Sequence, residues 1–129
     1  MAEFLFAFEY EEVKQRAENL AEGTRYTSST GVFIEAESAR AALAWGREIS
    51  EVFCARLHTT EELSWAERSY SCWIEDEPAS SDWSHCLDFF PRVAAGEHPD
   101  PFAMTTEAYL AWGEETGADI QPDEQSLDS

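Results

Sequence analysis

Residues 31–57 read GVFIEAESARAALAWGREISEVFCARL, and the hydrophobic period of the stretch changes partway through. Val32, Phe33 and Ile34 form a short apolar run suited to a buried strand. From Ala39 the apolar positions recur at helical spacing. At about 100° per residue, Ala39, Ala42, Leu43, Trp45, Gly46, Ile49, Val52, Phe53, Cys54 and Leu57 share one wide arc. Arg40, Arg47, Glu48 and Glu51 fill the other side, so the helix is expected to lie across a sheet with only a narrow solvated face. Ser38 stands where a hydroxyl can accept from the free N–H groups of the first turn, and Glu37 beside it favours the positive helix end. Gly46 is about 1 kcal/mol worse than alanine as a helix former. Its place within the apolar arc predicts a ring or a backbone packed closely against it.

Working outward, Glu3 to Tyr10 alternates, with Phe4, Phe6, Phe8 and Tyr10 on one face and Leu5, Ala7 and Glu9 on the other, the period of a strand. Glu11 to Ala21 shifts to helical spacing through Val13, Ala17, Leu20 and Ala21, with Glu11, Glu12, Lys14, Gln15 and Glu18 expected outside and Gly23 placed to end it. Arg25 to Thr27 and Val32 to Ala36 flank a polar bend and read as a hairpin with a short edge arm. His58 to Arg68 reads as a loop, and Tyr70 to Glu75 as a further strand with Tyr70, Cys72 and Ile74 turned inward. Strand, helix, strand, strand, helix, strand is the order of the ferredoxin-like split βαβ (βαββαβ) fold. That α+β class is an antiparallel sheet with the helices on one face. Trp83 to Phe90 reads as a short helix stopped by Pro91, Gly96 to Pro101 as a linker, and Thr106 to Glu115 as a C-terminal helical extension ending at Gly117. Residues 1–117 are thus expected to form a single α+β domain and residues 118–129 an acidic, disordered tail.

The strand and helix spelled by VFIEAESARAALAWGREI resemble the strand-to-helix step of many small α+β bacterial domains. That resemblance covers a small part of the chain and implies no site.

Charge is the extreme feature. The 129 residues hold 27 acids and 8 bases, a formal net charge of −19, and residues 70–129 carry fourteen acids against the single Arg92. Such a field repels nucleic acid and anionic membrane and attracts a basic protein partner. Solubility is the ordinary alternative reading of the same charge. No run of about 18 apolar residues is present for a membrane span, and Glu3 and Glu9 interrupt what would be a signal peptide, so a cytoplasmic location is expected. Three cysteines, Cys54, Cys72 and Cys86, do not make a disulfide framework and fit a reducing compartment.

No motif prescribes catalysis. The six glycines open no helix in a phosphate-cradling pattern. Cys54 and His58 are four residues apart and His85 adjoins Cys86, which supplies zinc-type ligands without any C-x-x-C pair. A Cys86 nucleophile would need a cationic setting, whereas its neighbours are acidic and aromatic. No cofactor, metal site or catalytic residue is therefore expected. Glu75, Asp76, Glu77 and Asp82, with Trp73 and Trp83 at either end, instead compose an acidic loop flanked by indoles, a composition suited to docking a basic partner around aromatic anchors. The expectation is a small, acidic, non-enzymatic protein that binds and blocks or regulates a basic macromolecule, in the manner of an immunity or inhibitor protein. The alternative, from another class, is a small metal-binding or cysteine-dependent enzyme using Cys54, His58, His85 and Cys86.

Overall fold

The computed structural model describes residues 2–58, 65, 70–75, 77–81 and 83–116. The expected loop at His58–Arg68 lies mostly outside these residues, and the expected tail at 118–129 wholly so. The chain is an α+β protein: strands β1 (Ala2–Tyr10), β2 (Ser28–Ala36), β3 (Cys72–Glu75) and β4 (Arg92–Ala94), and helices α1 (Val13–Glu22), α2 (Ala39–Leu57) and α3 (Thr106–Thr116). The sheet order is β3-β1-β2-β4.

β1 and β2 pair antiparallel along nine positions, from Ala2 opposite Ala36 to Tyr10 opposite Ser28. β3 adds antiparallel to β1, with Phe6 opposite Ile74 and Phe8 opposite Cys72. The ferredoxin-like arrangement expected from the sequence would place a further antiparallel strand, Arg25–Thr27, on the other edge beside β2. The fourth position differs. Arg25–Thr27 is not a strand, and its edge is taken by β4, which runs parallel to β2 with Ile34 opposite Val93. The sheet is therefore mixed instead of antiparallel. A three-residue strand shows no alternation in sequence, and its parallel pairing depends on the long connection that returns from β3.

The even positions of β1 and β2 face α2. Phe6, Phe8, Tyr10, Val32, Ile34 and Ala36 pack with Ala42, Ile49, Phe53 and Cys54 in one core, which Trp65 and Met104 complete. α2 begins as expected, with the Ser38 hydroxyl accepting from the N–H of Ala41 at 3.1 Å. The central odd positions are not solvated either. Leu5 and Phe33 lie under Cys86, Phe90 and Tyr109, with Trp83, Leu87, Phe89 and Trp112 around them. α3 is thus a cover for the second face of the sheet, not an appendage. Its first turn is capped by Thr105, whose hydroxyl accepts from the N–H of Ala108 at 3.2 Å.

α1 is turned over relative to its hydrophobic pattern. Gln15 is its buried residue, while Val13 and Leu20 are 56% and 64% exposed. Polar bonding decides this orientation. The Asn19 amide donates to the buried Glu11 carboxylate at 2.6 Å and to the Tyr26 carbonyl at 2.9 Å, Arg16 pairs with Glu11 at 3.6 Å, and Ser28 donates to Gln15 at 3.3 Å. Gly23, at φ 71°, ends the helix in the left-handed conformation that glycine adopts without strain.

Candidate functional site

The loop after β3 begins on the second face of the sheet. Trp73 and Glu75 are opposite Ala7 and Leu5 of β1, so both side chains project to the side covered by Phe90 and α3. The Trp73 indole N–H donates to the Glu75 carboxylate at 2.8 Å, and both residues are half-buried. Glu77 is exposed and is held at φ 50°, ψ 61°, the left-handed region that favours glycine; it is the one non-glycine residue with positive φ among the described residues. A 3-10 turn at Pro78–Ser80 follows, closed by the Ser81 hydroxyl donating to the Pro78 carbonyl at 2.7 Å. Trp83 is half-buried, with its ring centroid 5.3 Å from that of Phe90. Asp76 and Asp82 lie outside the described residues.

The structure therefore brings Trp73, Glu75 and Trp83 to one side of the sheet, with Trp83 packed on Phe90, Trp73 hydrogen-bonded to Glu75 and the exposed charge at Glu77. Carboxylates continue beyond the loop. Asp88, Glu97, Asp100, Glu107 and Glu114 are all exposed. Arg92, the single base after residue 70, is ion-paired with Glu3 and stacks over the Phe33 ring, 4.1 Å from its centroid. Among the described residues it neutralises none of the acids in its own half of the chain.

The residues of the enzymatic alternative are divided. Cys54 is buried in the core under α2, whereas Cys86 is buried in the cluster on the opposite face of the sheet. His58 is 4% exposed and its Nε2–H donates to the Glu11 carbonyl at 2.7 Å. His85 is exposed. Cys54 and Cys86 are separated by the sheet, and among the described residues no group of three or more His, Cys, Asp or Glu is arranged to hold a metal ion.

Sequence reading missed a polar cluster at the end of β1. The Glu11 carboxylate, 3% exposed, gathers Asn19, Arg16 and the hydroxyl of Tyr70. Beside it the Tyr10 hydroxyl lies 3.4 Å from both Glu12 and Thr106. Burial, and secondarily the Glu12 carboxylate, push the Tyr10 phenol well above the usual tyrosine range. This arrangement joins the end of β1, α1, the segment just before β3 and the start of α3. A glutamate at the junction of a strand and a helix was its only sign in the sequence.

No protein family, curated protein or solved structure matches the chain. No helix among the described residues is long and apolar enough to cross a membrane.

Proposed function

We propose that this is a non-enzymatic protein that binds a basic macromolecular partner, and blocks or regulates it, through the carboxylates of its C-terminal half. The observation that carries this reading is the unneutralised charge: exposed acids run from Glu77 to Glu114, while Arg92 is committed to Glu3. A negative surface of this kind raises the encounter rate with a cationic protein. Glu77 supports a part for the Glu75–Asp82 loop. A carboxylate there occupies a backbone conformation about 1–3 kcal/mol above the ordinary regions for a non-glycine residue, a cost that a part in binding would account for.

The test is association with a basic protein captured from the native cell, measured by stopped flow. Attraction of this origin weakens as salt shortens the screening length from about 10 Å at 0.1 M to about 3 Å at 1 M. Converting Glu75, Asp76, Glu77 and Asp82 to their amides should slow association several-fold. The same change at the exposed Glu18, Glu22, Glu37 and Glu48 should matter much less. Equal slowing by both sets would return the charge to a solubility role.

A further inference from the structure

An acidic surface attracts many cations, and selective binding needs apolar anchors that bury on contact. Trp73 and Trp83 are half-buried, one hydrogen-bonded to Glu75 and the other packed on Phe90, so only part of each indole is open to a partner. Within 70–116 the large apolar side chains that stand exposed, among the described residues, are Phe102 at 56% and Leu110 at 43%. Both lie in the segment formed by a 3-10 turn, Pro101–Ala103, and α3. At helical spacing Glu107, Leu110, Ala111 and Glu114 share the outer side of α3, and all four are exposed. The opposite side holds Tyr109, Trp112 and Gly113, turned to the sheet. Asp100 is exposed beside Phe102, its carboxylate accepting from the Phe102 N–H at 3.0 Å. The second exposed apolar stripe, Val13 and Leu20 on α1, has Lys14 and Arg25 exposed beside its acids, whereas residues 100–116 contain no basic residue.

We infer that the outer side of the 101–116 segment is the specificity surface for the basic partner, with Phe102 and Leu110 as anchors and Asp100, Glu107 and Glu114 as the charged rim. Charge complementarity defines the occupant: an amphipathic segment of another protein, in which lysines or arginines flank apolar side chains. A second copy of this chain would set like charge against like charge across the same rim. The inference rests on the acidic partner-binding reading above and adds to it where the apolar contact is made.

Two labelled 15-residue probes test it with the full-length protein by fluorescence anisotropy at low salt. One carries lysines with leucines at helical spacing, and the other carries the same lysines with serine in place of each leucine. The wild type should bind the lysine–leucine probe about tenfold tighter than the lysine–serine probe, since each anchor gains apolar contact only with the former. Phe102→Ser with Leu110→Ser should bind both probes at the lysine–serine level, with an unchanged circular dichroism spectrum. Each single change should remove part of the preference, which preserves the test if the double variant folds poorly. Val13→Ser with Leu20→Ser should retain the full preference. The inference is overturned if the wild type shows no preference, if the 102/110 variants keep it, or if the 13/20 variant loses it. Self-association of the wild type that Leu110→Ser abolishes would also overturn it, by giving this side of the helix to a second copy. Failure of both probes to bind the wild type would instead overturn the acidic partner-binding reading itself.

Discussion

The ring of Phe6 occupies the place where a side chain at Gly46 would begin: a Cβ built on Gly46 would lie 2.3 Å from Cδ1 of Phe6. β1 and α2 approach this closely because the helix has no side chain at that point, and Phe6 is fully buried as a result. Alanine gains about 1 kcal/mol in helix propensity, but forcing an extra methyl against a buried ring costs about 1–3 kcal/mol. Gly46→Ala should therefore leave the protein less stable by urea denaturation. Phe6→Leu should recover part of that loss in the double variant, a non-additivity expected only for residues in contact.

Glu11→Gln addresses the polar attachment of α1. The carboxylate accepts from Asn19 and Tyr70 and pairs with Arg16, and an amide cannot satisfy the same donors. The loss should be roughly 1–3 kcal/mol. Because Val13 and Leu20 face solvent and contribute little burial, amide exchange in Val13–Glu22 should accelerate more than in Ala39–Leu57. Equal acceleration in both helices would mean that α1 is not held by this carboxylate.

Tyr10 sets an alkaline limit. Its folded-state pKa is raised from the ordinary value of 10.0, so the unfolded chain loses the phenolic proton first as pH rises. The stability that depends on the neutral phenol is full below about pH 10 and declines above it. The fall in urea midpoint between about pH 9 and pH 11 should be smaller in Tyr10→Phe than in the wild type. An identical fall would show that Tyr10 is not protected from ionisation.

Glu77→Gly separates stability from binding. Glycine adopts φ 50° without strain, so the variant should gain up to about 1 kcal/mol after the added freedom of its unfolded chain is counted. Its association with the basic partner should slow, because an exposed carboxylate has gone. A variant that gained stability and bound unchanged would remove Glu77 from the binding surface.

Local sequence determined the parts of this protein whose partners are repetitive and apolar. The limits of α2, its Ser38 cap, the close approach at Gly46 and the inward face of β1 all follow from period and capping, since each position along a strand or helix meets the same kind of neighbour as the one a turn or a pleat away. Net charge was equally legible, because it needs no geometry. Tertiary structure alone decided the rest. α1 presents its polar side to the body because Glu11 meets Tyr70, 59 residues away in sequence, and specific hydrogen bonds outweighed a weak apolar stripe of one valine, one leucine and small alanines. β4 is three residues long and has no period to read, so its place beside β2 became visible only once Phe33 and Glu35 were seen to bond across to Pro91 and Ala95. The same holds for the candidate site. The sequence placed its acids and offered Trp73 and Trp83 as anchors, whereas the completed fold half-buries both indoles and leaves Phe102 and Leu110 exposed. Which apolar side chains remain exposed is set by what the completed fold covers, and no local pattern records it.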